Sequence, residues 1–223
     1  MSIAENINHI LKDIKKYSPH PDKVNLIAVT KYVDSNTIKE VLEGGAKFLG
    51  ENRVQIITKK HEELWDFPIE KKWHFIGNLQ KNKVKYIAHF IDMIHSVNKL
   101  SLAKEIDKRA KENNKKIDVL LEINIFGEET KEGYSYDELI SDIPELLTLK
   151  NINIKGLMTM APYIDSETQL RKGFSTLREL KDNLNSTFFN GTLTELSMGM
   201  SNDYKIALKE GATFIRVGSK IFE

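Results

Sequence analysis

Residues Val24–Lys31 read VNLIAVTK, an apolar run that ends on a lysine just before the polar turn Tyr32–Ser35. Runs of this length that are rich in Val, Leu and Ile are typical of strands buried on both faces in parallel sheets. Because side chains alternate along a strand, the pattern predicts that Ile27, Val29 and Lys31 share one face. A lysine that closes an apolar strand face either reaches water or takes part in chemistry.

The position of Lys31 fits two interpretations. At the carboxyl end of a parallel strand, where α/β proteins place their ligands, a desolvated lysine can lose its proton and form an imine with a carbonyl compound. The alternative is a strand-end lysine whose ammonium group extends into solvent. The segment by itself favours this second interpretation, because lysines are common at wet strand ends.

The composition excludes several classes of protein. The 223 residues include 40% hydrophobic and 29% charged residues, which suits one large or two small soluble domains. A formal net charge of +1 gives no electrostatic footprint for nucleic acid or an anionic membrane. The absence of cysteine excludes disulfides and thiolate metal sites and fits a reducing cytoplasm. No apolar run approaches the ~20 residues of a membrane helix, and MSIAENINHI does not resemble a signal peptide.

Strand-like and helix-like segments alternate along the whole chain. Such alternation implies a parallel sheet, and eight units in one domain imply a (β/α)8 barrel, here with an extra amino-terminal helix. An open doubly wound sheet is the alternative, which the lack of a GxGxxG motif disfavours. The predicted strands are 24–31, 46–50, 73–76, 91–95, 117–125, 152–158, 192–196 and 213–217. The predicted helices include 3–17, 80–90, 98–113, 136–147 with an interruption at Pro144, 170–184 and 201–210.

Two glycine- and serine-containing segments follow the last two predicted strands. Gly199 lets the backbone turn tightly within SMGMS, and Ser201 can cap the helix that follows. Gly218 and Ser219, within RVGS, offer free amides and a hydroxyl in the same way. Because the loops after strands seven and eight form the phosphate site common in (β/α)8 barrels, these two segments predict phosphate binding.

A lysine that can form an imine, facing a phosphate site, indicates a phosphorylated aldehyde as ligand. Pyridoxal phosphate fits this description, and so does the substrate of an aldolase. Arg216 shares strand parity with Phe214, so both point either into the barrel or into the helix layer. A buried arginine needs an acceptor, which is either the pyridine nitrogen of pyridoxal or a carboxylate such as Glu195.

The histidine and methionine residues indicate functional positions less clearly than Lys31 and the serine segments do. For His74, a core histidine with one satisfied nitrogen is favoured over a catalytic one, and the six histidines show no metal-binding spacing. Four methionines at two strand ends suit either a soft wall over an aromatic ring or ordinary core filling, namely Met158, Met160, Met198 and Met200.

Seven motifs carry a resemblance to a known family. They are LIAVTK, FLGENRVQ, WHFIGNLQKNK, LLEINIFGEETKEG, IKGLMTM, ELSMGMSNDY and IRVGSKIF, and they span nearly the whole chain. In these motifs the chain resembles the YggS/PROSC family of pyridoxal phosphate homeostasis proteins. The resemblance implies one barrel over residues 1–223, of the alanine racemase amino-terminal type, with pyridoxal 5'-phosphate bound as a lysine imine.

The resemblance also assigns roles to particular residues. Lys31 is then the imine lysine, Asn52 lies beside the cofactor ring, and Arg216 faces the pyridine nitrogen. The phosphate is held by Ser201 together with the RVGS segment, and Met198 belongs to the same site. The residues of that segment which contact the phosphate are Gly218 and Ser219.

The family resemblance implies no established catalytic reaction. Such proteins carry, buffer or deliver pyridoxal phosphate, with apo-enzymes as potential recipients, and a monomer is expected. The alternatives are an amino-acid racemase that uses pyridoxal phosphate and an imine-forming aldolase without cofactor. A racemase needs two opposed acid/base groups, and in alanine racemases a tyrosine of a separate domain provides the second. That domain is not expected here, and the nearest tyrosines by position are Tyr32, Tyr163 and Tyr204.

Overall fold

The fold is a closed barrel of eight parallel strands, β1–β8, in which each strand pairs with its neighbours in sequence order. A computed structural model describes residues 1–127 and 132–223; residues 128–131, inside the motif LLEINIFGEETKEG, lie outside the described part. The arrangement confirms the predicted (β/α)8 barrel and excludes the open sheet. The strands are Asn25–Val29, Phe48–Glu51, Lys72–Phe75, Met93–Val97, Ile117–Glu122, Ile152–Met158, Glu195–Met200 and Phe214–Val217.

Helices surround the barrel and connect successive strands. In chain order α1–α8 are Ile3–Tyr17, Ser35–Glu43, Val54–Glu63, Leu100–Glu112, Tyr136–Leu146, Glu167–Leu184, Tyr204–Lys209 and Ser219–Phe222. The extra helix α1 begins with a capping box, in which the Ser2 hydroxyl accepts from the Glu5 amide and the Glu5 carboxylate accepts from the Ser2 amide. Within the described ranges, no helix is both long and apolar enough to cross a membrane.

Several predicted boundaries were wrong. Residues 80–90 do not form an α-helix; they contain the 3-10 segment Lys81–Tyr86. Pro144 does not interrupt α5: the proline lies in the last turn, and the helix ends two residues later at Leu146. Strands β4 and β7 begin two and three residues later than predicted.

The hydrophobic residues form two packed layers. Alternate residues of each strand point into the barrel or outward to the helices, so Ile27 lies inside, while Leu26 and Ala28 join the outer core. The interior layer is short and is formed by Ile27, Phe48, Met93, Leu120, Met158 and Phe214. Polar side chains occupy the rest of the interior, and this places the chemistry of the barrel toward the carboxyl ends of its strands.

Candidate functional site

A cavity of about 1120 Å³ opens at the carboxyl ends of the strands. This volume lies slightly above the usual range of small-molecule sites, roughly 300–1,000 Å³. Six of the seven residues that the sequence assigned to a cofactor site line it, although they come from four different loops or strands. These residues are Lys31, Asn52, Ser201, Arg216, Gly218 and Ser219.

Lys31 lies in the turn after β1 rather than in the strand itself. The strand ends at Val29, although the Thr30 amide still donates a hydrogen bond of 3.1 Å to the Gly50 carbonyl and so extends the ladder. The Lys31 side chain is half-buried at the cavity wall, and its Nζ lies 4.7 Å from the centroid of the Tyr32 ring. An amine placed there can be reached by a ligand while a cation–π contact restrains its protonated form.

A buried ion pair holds together the two strand ends that precede Lys31 and Asn52. The Glu51 carboxylate is fully buried; its Oε1 accepts hydrogen bonds from Lys60 Nζ at 2.7 Å and Thr30 Oγ1 at 2.6 Å. Lys60 Nζ also donates to the Thr30 carbonyl at 2.7 Å. Helix α3 is thereby tied to the ends of β1 and β2. Sequence reasoning missed this contact, since α3 carries two adjacent lysines, Lys59 and Lys60, and the pattern does not say which of them pairs with Glu51.

Asn52 is held close to the loop after β3 by a glycine. A Cβ atom at Gly77 would lie 2.4 Å from the Asn52 carbonyl oxygen and 2.7 Å from its Cα, so no larger residue fits without movement of the backbone. The Ile76 amide also donates to the Glu51 carbonyl at 2.9 Å. These contacts hold the backbone of Asn52 at the end of β2, and the residue lines the same cavity as Lys31.

The loops after β7 and β8 meet through a hydrogen bond. The Gly218 amide donates to Ser201 Oγ at 3.2 Å. Because that oxygen already accepts, the hydroxyl proton of Ser201 is free to donate to a ligand in the cavity. Gly199 has φ +91°, and a Cβ there would lie 2.6 Å from the Ala207 Cβ, which confirms the need for glycine in this turn.

Ser201 does not cap the following helix. The residue at that position is Asp203, whose Oδ1 accepts a hydrogen bond from the Met200 amide at 2.5 Å. Burial raises the pKa of Asp203, while hydrogen bonding to the Met200 amide opposes the shift. Because Ser201 does not cap the helix, its hydroxyl is available for the Gly218 contact and for a ligand in the cavity.

Arg216 points into the barrel and is almost fully buried, with 4% of its surface exposed. Its Nη1 donates to Ser197 Oγ at 2.5 Å and its Nη2 to the Thr159 carbonyl at 2.8 Å. Burial lowers the pKa of Arg216 to about 10, and the carboxylates of Asp203 and Glu122 oppose that shift. Among the described contacts no ion pair joins Arg216 to Glu195, and Arg216 lines the cavity.

Met198 is not brought to the cavity. Its side chain is fully buried in the outer core, because the adjacent Ser197 points into the barrel and successive strand residues face opposite ways. The pairing of β7 with β8 shifts register between Ser197 and Met200. Met160 and Met200, two of the four methionines considered from the sequence, line the cavity, whereas Met158 and Met198 fill the core.

Two buried histidines extend the polar network below Arg216. His95 Nδ1 lies 2.9 Å from Ser197 Oγ, and His95 Nε2 lies 2.9 Å from His74 Nδ1. Burial lowers the pKa of His74 to about 3 and that of His95 well below its usual value. His74 is thus a core histidine with a satisfied nitrogen, as favoured from the sequence. Sequence reasoning missed His95 and Ser197, although the alternation of side chains along a strand is a signal for residues that point into the barrel.

One more acidic side chain reaches the interior from β5. Glu122 is 6% exposed, and burial raises its pKa to about 7 although the charge of Arg216 opposes the shift. No group of three His, Cys, Asp or Glu side chains suited to a metal ion occurs within residues 1–127 and 132–223. The arrangement therefore offers an amine, a buried guanidinium and a hydroxyl–amide pair around one cavity.

Comparisons with known proteins agree with this geometry. Residues 3–223 match the family described as alanine racemase, N-terminal domain. The pyridoxal phosphate homeostasis protein of Aquifex aeolicus is 42% identical over 226 residues, which cover 100% of this chain and 98% of that protein. The structure of PipY from Synechococcus elongatus with PLP bound is 34% identical, with a TM-score of 0.90 and full coverage of both chains. An alanine racemase of Clostridium difficile, 18% identical with a TM-score of 0.76, shares the fold over 98% of this chain and 56% of its own.

Proposed function

This chain belongs to the pyridoxal phosphate homeostasis family, built on the alanine racemase N-terminal domain fold, and we propose that it binds pyridoxal 5'-phosphate as an intracellular carrier or buffer. One observation carries the proposal: a single cavity collects Lys31, Arg216 and the Ser201–Gly218 pair. The relatives named for this role and the PLP-bound PipY structure support the choice of ligand.

The residues present fit the chemistry of pyridoxal phosphate. The Lys31 amine suits the aldehyde, with which it condenses to an imine by loss of one water. The Ser201 and Ser219 hydroxyls and the amides near Gly218 suit the phosphate oxygens. Arg216 suits the pyridine nitrogen, and Asn52 lines the same cavity as Lys31. Pyridoxal phosphate would supply an electrophilic aldehyde and an electron-withdrawing ring when bound.

The character of Arg216 supports a carrier rather than an enzyme. A guanidinium can only donate hydrogen bonds, so a pyridine nitrogen opposite it is left without a proton. An unprotonated ring withdraws electrons less strongly than one protonated by an acid. The proposed holoprotein holds its ligand as an imine. Its ring therefore has a reduced capacity to stabilise negative charge on an amino-acid substrate.

The proposal also covers the domain organisation, the location and the partners of the protein. It treats residues 1–223 as one cofactor-binding domain that acts as a monomer in the cytoplasm, on the ground of a cysteine-free and charge-balanced sequence. Its partners are then pyridoxal phosphate and the apo-enzymes that receive it, with no role for nucleic acid or membrane.

An amino-acid racemase is the second candidate function. The observation in its favour is that Tyr32 and Tyr163 line the same cavity as Lys31, each with 87% of its surface exposed. Tyr204 is unsuited, because it is buried and its hydroxyl donates to Asp13 Oδ2 at 2.5 Å. Exchange of the α-proton of alanine and serine in deuterium oxide tests this candidate. Turnover on the order of 1 s⁻¹ or more, normal for an enzyme, would replace the carrier proposal.

Absorption of the purified protein tests pyridoxal phosphate binding directly. A carrier or a racemase is expected to be yellow, or to become yellow with added cofactor, and to lose its imine band on borohydride reduction. A cofactor-free aldolase would stay colourless with pyridoxal phosphate. Colourless protein that gains no imine band would therefore contradict both leading candidates.

A further inference from the structure

A chain of four buried side chains crosses the barrel beneath the cavity. It runs from Arg216 on β8 to Ser197 on β7, then to His95 on β4 and His74 on β3, through contacts of 2.5, 2.9 and 2.9 Å. None of the four is more than 4% exposed. Only Arg216 reaches the cavity, so the other three are not contacts of a ligand.

The donors and acceptors of these four side chains allow only one arrangement of their protons. Arg216 can only donate, so Ser197 Oγ accepts from it. Among the described residues, Ser197 Oγ has one other partner, His95 Nδ1, and a fully buried hydroxyl proton needs an acceptor. Ser197 therefore donates to His95 Nδ1, which places the ring proton of His95 on Nε2. That proton is donated to His74 Nδ1.

The surroundings keep both histidines neutral. Each ring is fully buried, which disfavours the charged form, and the Arg216 charge adds to the effect at His95. The rings of Phe48 and Phe214 pack edge-on against His74, with centroids 5.2 and 5.4 Å away. An apolar environment on that side leaves the positive charge of the network on Arg216.

We infer that Ser197 is a positioning residue: with His95 and His74 behind it, it fixes the orientation of Arg216 through hydrogen bonds that all run from Arg216 toward His74. The Thr159 carbonyl holds the second nitrogen of the guanidinium. With two nitrogens anchored to different partners, the plane of the guanidinium is held in one orientation at the cavity that Arg216 lines. The inference rests on the proposed function only in taking pyridoxal phosphate as the ligand that the Arg216 guanidinium contacts.

The first test is the state of the histidines in the wild-type protein. Nitrogen-15 spectra of labelled histidine distinguish ring nitrogens that carry a proton from those that accept a hydrogen bond. Both His95 and His74 are expected to be neutral and protonated on Nε2 at pH 7, with or without cofactor. A proton on His95 Nδ1 would overturn the inference without any need for a variant.

The second test removes the Ser197 hydroxyl. In Ser197→Ala, His95 Nδ1 loses its donor, so we expect a mixture of His95 tautomers and an increase of about tenfold in the dissociation constant for pyridoxal phosphate. Ser197→Thr keeps a hydroxyl and is expected to restore both properties. The matched control is Ser96→Ala, since Ser96 is equally buried and its hydroxyl donates to the Gly77 carbonyl instead.

The outcomes separate this inference from the proposed function. Wild-type affinity and an unchanged His95 spectrum in Ser197→Ala would refute the positioning role, as would the same change of the His95 spectrum in Ser96→Ala. If the wild-type protein fails to bind pyridoxal phosphate while its histidines show the expected tautomers, the cofactor proposal fails and the hydrogen-bond direction stands.

Discussion

At the residue scale, Lys31 combines access to solvent with a place at the cavity wall. Replacing it by alanine is expected to abolish the imine band and to change the free energy of unfolding by no more than about 0.5 kcal/mol, because a half-buried turn residue contributes little to stability. Absorbance and denaturant unfolding of the same sample check both points.

A matched lysine separates attachment from a general loss of charge. Lys39 is also half-buried and also lies over an aromatic ring, with its Nζ 5.7 Å from the centroid of Phe67, but it does not line the cavity. Lys39→Ala is expected to keep the full imine band. A persistent band in Lys31→Ala would show that a different amine holds the cofactor.

Two serine hydroxyls at the cavity give a second residue-scale prediction. In the proposed complex, Ser201→Ala and Ser219→Ala each remove a donor to the charged phosphate, worth about 1.5–3 kcal/mol, although neighbouring amides remain. Each variant is expected to weaken binding of pyridoxal phosphate, and the double variant more so. Titration with unphosphorylated pyridoxal is the control: equal weakening for both ligands would show that the phosphate lies elsewhere.

At the scale of elements, the contact between α3 and the ends of β1 and β2 supports the site from behind. Lys60→Met leaves the Glu51 carboxylate buried without its cation, and loss of one partner of a buried pair costs about 3–5 kcal/mol. Denaturant unfolding is expected to show a loss of this size. Since the same strand ends carry Lys31 and Asn52, weaker cofactor binding should accompany it.

The neighbouring lysine on α3 provides the control for this contact. Lys59 forms a 3.6 Å ion pair with Glu63, but its side chain is 72% exposed. Lys59→Met is expected to change stability by less than about 1 kcal/mol, as for other exposed pairs. The double variant Lys60→Met, Glu51→Gln should recover part of the loss, because it removes the unpaired charge. Equal losses for Lys59→Met and Lys60→Met would contradict the role given to the buried pair.

At the scale of the whole molecule, the buried network makes stability depend on pH. His74 has a pKa of about 3 in the folded protein, below the 6.5 of an unperturbed histidine. Between these values the unfolded chain takes up a proton that the folded protein refuses, so the free energy of unfolding falls as pH falls. In His74→Gln the slope between pH 6.5 and 4.5 should decrease by about 1.4 kcal/mol per pH unit.

Glu122 supplies a comparison of opposite sign. Its pKa of about 7 exceeds the ordinary value of 4.5, so its contribution to stability is present below pH 4.5 and is lost as pH rises through 7. Glu122→Gln should therefore steepen the loss of stability on acidification, whereas His74→Gln should flatten it. Unfolding curves at several pH values measure both slopes, and a change of the same sign in the two variants would contradict the assignment.

Sequence alone determined the barrel and most of its cavity. The alternation of apolar runs with helical spacing fixes a parallel sheet, and eight repeats close it. Because the carboxyl ends of all eight strands meet at one end of the barrel, Lys31 and the segments around Ser201 and Gly218 could be placed together from the strand order, while the roles of Asn52 and Arg216 came from the family resemblance. Short motifs at strand ends suffice for this, since closure of the barrel makes them neighbours.

Only the tertiary structure decided which side chains meet across the barrel. His95 and Ser197 are 102 positions apart, and Glu51 is paired with Lys60 rather than with the adjacent Lys59 of α3. The register shift in β7 placed Met200 rather than Met198 at the cavity. The physical reason is that the stagger of the strands and the closure of the barrel determine which interior residues lie at the same height along the barrel axis. The local periodicity of the sequence carries no information about stagger or closure.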